Sequence, residues 1–415
     1  MHHTGDGPGS RHPHGDRQGH RRHPDRTAQA ARPRLVRAVA RRQLRGAAAA
    51  AVVGAAAFAA REVAATSDGV PTRLRLLAHG SLPSGTMFKD TLVGGRSGLA
   101  YDGANNLWYA LSDDRSRHPP ARCYVLRLPP LTGGRPLLPE WVDVITLRGA
   151  DGRPFPRQQV DPEALALRRD PASGRTSLLW TSEGNIRTRI PPALYESELD
   201  GRLLRELPLP PLLREIGRLR RGPRNNETLE GLALAPDGRH AWTAMESALT
   251  QDQGTMTPGA PPGPCRITRI DLASGRADRQ VAYLPEPEPF GPAMPHGPAE
   301  SGISAILLHG EQRMWVLERA WSLATGVSAR LYEADLDAAS NTLGTDTLRA
   351  GRYRPASKRL LLDLKHSGLP HVDNFEAMAW GPPQPSGART LVMCSDDNFN
   401  PLQVTQLAGF EVASP

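Results

Sequence analysis

A unit of about 70 residues recurs five times along this chain, and a fold must accommodate that period before anything else. Its clearest copy runs from Asn225 to Glu246: an acidic residue, a short apolar strand, a Pro236-Asp237-Gly238 turn, a second strand carrying Trp242, and a closing acid, Glu246. The first strands align as Arg96-Ser97-Gly98-Leu99-Ala100, Pro162-Glu163-Ala164-Leu165-Ala166, Leu229-Glu230-Gly231-Leu232-Ala233, Glu300-Ser301-Gly302-Ile303-Ser304 and Phe375-Glu376-Ala377-Met378-Ala379. From Ser97 to Glu376 the steps are 66, 67, 71 and 75 residues. Each second strand ends in acid: Asp113-Asp114, Glu183, Glu246, Glu318, and Asp396-Asp397.

Between these pairs lie two further strand-like stretches per unit. They are Ala121 to Leu128 with Trp141 to Leu147, Ala193 to Leu199 with Leu203 to Leu207, Arg266 to Leu272 with Gln280 to Leu284, and Arg330 to Leu336 with Lys358 to Leu364. After the fifth copy only Gln403 to Phe410 remains, and the missing partner stands at the other end of the domain, in Thr72 to Ala78. Four strands per unit, with the last completed from the N-terminal side, describe an all-β fold: a β-propeller of five blades whose ring closes on itself and hides its edges. A sixth blade within Gly80 to Gly95 or the Thr250 to Cys265 loop stays open as an alternative count.

In such a ring the start of each first strand and the end of each second strand share one face. Glu163 with Glu183, Glu230 with Glu246, and Glu376 with Asp396 or Asp397 are therefore expected at one channel mouth, with Asp113, Asp114 and Glu318 nearby. So many carboxylates cannot all stay ionised at close quarters without cations. Oxygen donors of this kind suit Ca²⁺ first and Mg²⁺ second. The competing reading has these acids tying neighbouring blades together through backbone amides. Ser97 and Ser301, which stand where the other copies carry glutamate, argue against a device needed equally in every blade. Arg224-Asn225-Asn226 precedes the third copy, and Arg115, Arg117, Arg187, Arg189 and Arg319 follow second-strand acids; guanidinium forks on the rim suit phosphate oxygens.

Residues 1–65 are a different kind of chain: a His-, Arg-, Gly- and Pro-rich stretch, then Arg41-Arg42, an apolar run from Gly46 to Ala60, and the small residues Ala64-Ala65. This pattern reads as a disordered basic leader followed by a twin-arginine-type export signal, the apolar run being short for a membrane span. It predicts a periplasmic or secreted protein with no stable span after cleavage. The leader holds 12 arginines against 4 acidic residues, a surplus of +8 that equals the whole chain's. Residues 66–415, the expected propeller domain, carry 39 basic and 39 acidic residues, so net charge gives a nucleic-acid partner no support. Cys123, Cys265 and Cys394 have neither zinc-site spacing nor the density of a disulfide framework and read as small buried residues. No nucleophile elbow, phosphate loop or dinucleotide fingerprint occurs, and His118 and His371 read as loop histidines.

Ser97-Gly98-Leu99-Ala100-Tyr101-Asp102 with Leu111-Ser112-Asp113-Asp114, Asp161-Pro162-Glu163-Ala164-Leu165, Arg224-Asn225-Asn226 through Glu230-Gly231-Leu232-Ala233, and Asp373-Asn374-Phe375-Glu376 with Ser395-Asp396-Asp397-Asn398-Phe399 together resemble the phytase-like family, over roughly residues 72 to 412. The resemblance implies an exported propeller and a calcium-dependent phosphoesterase. With only Lys89, Lys358 and Lys365 in the chain, it does not extend to a lysine-rich phosphate pocket. The expectation is thus a monomeric, metal-dependent hydrolase of a small anionic ester. Glu230, Glu163 and Glu376 would be catalytic, Arg224, Asn225, Arg187 and Arg319 would bind substrate, and Asp113, Asp114, Glu163, Glu183, Glu230, Glu246, Glu376, Asp396 and Asp397 would hold metal. A metal-dependent lactonase or carboxylesterase, and a binding propeller without catalysis, are the alternatives.

Overall fold

The Pro-Asp-Gly turn closes the hairpin that the pattern predicts. Asp237 Oδ1 accepts from the Arg239 and His240 amides, and Gly238 takes the left-handed conformation, φ +64°, that the tight reversal requires. Comparable hairpins build every unit. The computed structural model describes residues 72–413 apart from 119, 133–134, 219, 254–261, 288–298 and 324. All lie in the second of the two units into which the chain divides, Met1–Ser67 and Asp68–Pro415. The leader and export signal read in residues 1–65 fall outside the described residues.

Five four-stranded antiparallel sheets form the blades. Blade 1 comprises Arg96–Asp102, Leu107–Ser112, Arg122–Arg127 and Glu140–Thr146, and blade 2 Pro162–Arg169, Thr176–Ser182, Ala193–Ser197 and Leu203–Leu207. Blade 3 comprises Leu229–Leu234, His240–Met245, Cys265–Asp271 and Arg276–Tyr283, and blade 4 Ala299–Leu308, Arg313–Ser322, Gly326–Asp335 and Ser357–Asp363. Blade 5 takes Asn374–Gly381, Arg389–Asp396 and Thr405–Ala413 from the C-terminal side and Arg73–Leu82 from the N-terminal side, paired from Arg73 opposite Ala413 to Leu82 opposite Thr405 with one bulge between Leu76 and Ala78. Ring closure by the N-terminal strand is therefore as the strand count required. The Gly80 to Gly95 segment holds the end of that N-terminal strand and a small hairpin, Met87–Phe88 with Thr91–Leu92, and the described residues contain no sixth four-stranded sheet.

One apolar core fills each gap between neighbouring blades: 1 with 2, 2 with 3, 3 with 4, 4 with 5, and 5 with 1. Trp108, Trp180, Trp242 and Trp315, from the second strands, are fully buried in four of them or at their edges. The three cysteines are free and buried in these cores. Stability is thus a circular chain of interfaces, and each first strand packs against the next around the axis. Gly98 permits one such approach, since a Cβ there would lie 2.9 Å from the Glu163 carbonyl oxygen.

Deleting Thr72–Leu82 should strip blade 5 of its outer strand, leave the Thr405–Ala413 edge unpaired and abolish the single cooperative melt seen by circular dichroism. Trp242→Ala in the intact chain should cost about 3–5 kcal/mol yet keep a single transition; the reverse ranking would contradict closure.

Candidate metal centre

The chemistry of the channel is set by an irregularity repeated in all five blades. Each first strand carries a β-bulge against its second strand, between Arg96 and Gly98, Pro162 and Leu165, Leu229 and Gly231, Ile303 and Ala305, and Phe375 and Ala377. The extra residue breaks the alternation and is re-aimed toward the axis. By this register the first-strand positions are Ser97, Glu163, Glu230, Ser304 and Glu376. One step beyond the second-strand residue paired just before each bulge stand Asp113, Glu183, Glu246, Arg319 and Asp396. Blade 4 thus departs from the sequence repeat, because its bulge falls at Ser304, three residues beyond Ser301. Glu318 turns out of the channel and accepts from the Tyr283 hydroxyl at 2.6 Å, the Glu286 amide at 2.8 Å and Lys358 Nζ at 2.5 Å.

The acids converge. One carboxylate oxygen each from Asp161, Glu163 and Glu183 lie within 4.8 Å of one another, as do oxygens from Glu183, Glu230 and Glu246, so Glu183 belongs to both groups. Burial, and then the charges of Glu230, Asp161, Asp113 and Glu183, hold the Glu163 carboxyl well above its ordinary value. Glu183 and Glu230 are raised in the same way, first by burial and then by each other's neighbours. Asp113 and Asp396, across the mouth, are likewise raised by burial, and each feels Glu376. Burial lifts Glu246 to about 7 despite Arg319, and Asp161 to about 6 despite Arg115. The Thr228 amide donates to Glu183 Oε1, while Glu183 Oε2 and Glu230 Oε2 are buried with no hydrogen-bond partner.

Glu376 is more completely held. Asn374 Nδ2 donates to its Oε1 at 2.9 Å, Ser97 Oγ reaches its Oε2 at 3.5 Å, and Arg319 Nε stands 3.4 Å from Oε1. Two of the expected ligands point elsewhere. Asp114 pairs with buried Arg122 at 2.8 Å and caps the Arg117 amide; Asp397 accepts from the Gly95 and Phe399 amides at 3.0 and 3.1 Å. Each is the neighbour of the residue that does face the channel, Asp113 or Asp396.

The expected substrate-binding groups are distributed differently. Arg319 donates to Glu246 Oε1 at 2.8 Å and spans toward Glu376, Arg224 pairs with Glu227, and Asn225 Oδ1 accepts from the Arg187 amide at 3.2 Å. The Arg187 side chain is exposed on the short Ile186–Thr188 turn. One contributor escaped the repeat reading, and one rim arginine has a different partner from the expected phosphate. Asp161 stands at a position occupied by Gly95, Thr228 and Asn374 in blades 1, 3 and 5, so the repeat gave no signal for it. Arg115 pairs with Asp161 and also reaches Asn226 Oδ1, linking blade 1's loop to the segment entering blade 3.

The donor set fits a hard cation: only oxygens, mostly buried, more carboxylates than Arg115 and Arg319 can neutralise, and two unpartnered oxygens on the shared groups. Fold and site therefore define a five-bladed propeller with an acidic, buried channel mouth. The family profile described as phytase-like, esterase-like activity of phytase, matches residues 91–399, and the chain belongs to that family. No curated protein sequence matches the chain. Among solved structures it is similar to the Dos1 propeller (7% identity, 77% of this chain and 68% of that one, TM-score 0.35). It is also similar to the periplasmic gluconolactonase of Pseudomonas aeruginosa (12%, 78% and 90%, TM-score 0.31) and the tail fibre of Staphylococcus aureus phage P68 (9%, 82% and 52%, TM-score 0.40). The chain spans about half the length of the tail fibre.

These raised carboxyls make a signed prediction. A group whose folded value lies above its unfolded one binds more protons in the folded state, so stability falls as pH rises. In chelator, the melting temperature should be highest near the ordinary glutamate value of 4.5 and drop by several degrees as pH passes about 6 and about 7, where Asp161 and Glu246 ionise. Saturating Ca²⁺ should remove most of that drop. A melting temperature that climbs over this window in chelator would contradict the assignment.

Proposed function

We propose that the protein is an exported, metal-dependent ester hydrolase whose centre lies in the sector of blades 2 and 3. The observation that carries this reading is the pair of carboxylate groups joined at Glu183, with unpartnered, buried oxygens on Glu183 and Glu230. Asp161, Glu163 and Glu183 would hold the cation, Glu246 belongs to the adjoining group that shares Glu183, and Ca²⁺ suits an all-oxygen set better than a transition metal. Bound there, the cation would polarise the ester oxygen and lower the pKa of a water molecule.

The chain's own residues do the rest. Glu230 Oε2, free of hydrogen bonds and beside Glu183, takes the proton of the attacking water; burial keeps that carboxyl basic enough for the task. Glu376, oriented by Asn374 and Ser97 and raised by burial, gives its own proton to the leaving oxygen; Glu230 ends protonated and Glu376 ionised, and proton exchange with water resets the pair. The buried walls exclude bulk water, which strengthens every charge interaction within. Arg187 and the Arg224-Asn225-Asn226 segment line the approach for an anionic substrate.

The family description points to phosphomonoesters. A second reading, a carboxylic ester or lactone, is favoured by one specific observation: Arg319, Arg115 and Arg224 already pair with carboxylates, which leaves few guanidiniums for phosphate. The export signal in residues 1–65 and a monomeric state complete the proposal. Among the described residues no helix is long and apolar enough to cross a membrane.

The test is an ester panel with and without chelator. Hydrolysis of p-nitrophenyl phosphate or p-nitrophenyl acetate should appear with Ca²⁺ and vanish in chelator, the preferred ester deciding between the two substrate classes. Glu230→Gln should lower the rate by about 10²-fold or more. Glu227→Gln, whose carboxylate sits with Arg224 and Ser247 off the channel, should lower it by less than about tenfold. Chelator-insensitive activity, or equal losses in the two variants, would refute the proposal.

A further inference from the structure

Blade 4 breaks the channel pattern. Where the other blades present Asp113, Glu183, Glu246 and Asp396, it presents Arg319, and beside it stands Ser304, a serine where blades 2, 3 and 5 carry glutamate and blade 1 carries Ser97. The guanidinium is not idle. Its Nη2 donates to Glu246 of the preceding blade at 2.8 Å, its Nε lies 3.4 Å from Glu376 of the following blade, and Glu230 and Glu300 add to the field around it. Its side chain is only 20% exposed. Ser304 Oγ meanwhile donates to the Phe375 carbonyl at 3.1 Å and offers the channel no charge.

We infer that Arg319 is a built-in counter-ion: it takes the place of a divalent cation between Glu246 and Glu376 and confines metal to the Glu183 sector of blades 2 and 3. This rests on the metal centre proposed above. Two features carry it. The carboxylates on either side of Arg319 are bridged by a cation that cannot dissociate, whereas Glu183 and Glu230 keep unpartnered oxygens within groups of three carboxylates close enough to share an ion; Asp113 and Asp396 also keep an unpartnered oxygen each but join no such group among the described residues. A second cation next to the guanidinium would meet like charge at short range in a buried site, so occupancy there is disfavoured as long as Arg319 is present. The arginine thereby sets both how many ions the channel takes and where they sit, and offsets the repulsion between Glu246 and Glu376 when metal leaves.

The experiment counts calcium. Full-length protein and its variants are dialysed to equilibrium against CaCl₂ and bound metal is measured by plasma emission, with a calorimetric titration as a second readout. Arg319→Met should bind one more Ca²⁺ than the parent, and its melting temperature in chelator should fall and recover with Ca²⁺. Arg319→Lys should keep the parental count, because its ammonium supplies the same charge. Arg319→Met combined with Glu376→Gln should return to the parental count, because a ligand of the gained ion is gone. If Arg319→Met folds only in Ca²⁺, it is purified and counted there, and that dependence supports the inference.

Equal counts in the parent and Arg319→Met, or an extra ion in Arg319→Lys, would overturn it. A parent that binds no Ca²⁺ while Arg319→Met binds one would leave the counter-ion role standing and sink the Glu183 centre. No binding to either protein would sink both.

Discussion

Like-charged carboxyls brought together away from water set the terms for the rest of this molecule. Each pays desolvation and each repels the others, so the group tolerates proximity only by holding protons, by pairing with guanidinium, or by binding cations. All three settings of that balance are legible in the channel: raised proton affinities at Glu163, Glu183 and Glu230, the Arg319 bridge from Glu246 to Glu376, and oxygens without partners on Glu183 and Glu230. Five interblade cores supply the rigidity that keeps the acids from relaxing apart.

The placement itself comes from the backbone. A bulge at the same point of each first strand adds one residue on the axial side, and the neighbouring first strands come close enough to need glycine at Gly98. The repeat therefore makes two rings of five positions rather than one. Function in a ring of near-identical units requires that the units differ, and here blade 4 breaks the symmetry with Ser304 and Arg319, while Asp161 enriches blade 2. The carboxylate groups close enough to share an ion therefore lie in blades 2 and 3.

Strand order, hairpin turns and the circular closure could be read from the chain, because the alternation of apolar residues around Leu232 or Leu165 has one sensible register. Blade 4 resisted the same treatment. Glu300-Ser301-Gly302-Ile303 imitates Leu229-Glu230-Gly231-Leu232, yet the bulge follows Ile303, and a slip of three residues in the first strand exchanges Glu318 for Arg319 at the channel. Adjacent acids posed a similar problem: successive residues point to opposite sides, so Asp113 and Asp114, or Asp396 and Asp397, can be told apart only once the pairing is known. Asp161 carried no repeat signal, and the partners of Arg115 and Arg224 depend on loops from different blades meeting above the ring.

Where a metal sits is the most direct measure of this account. Crystals of the protein soaked in Mn²⁺, as an anomalous stand-in for Ca²⁺, should show a peak ligated by Glu183 together with Glu163, Asp161, Glu230 or Glu246. Density should be absent from the space between Arg319 and Glu376. A peak on the Arg319 side, on the outer surface alone, or nowhere in the channel would contradict it.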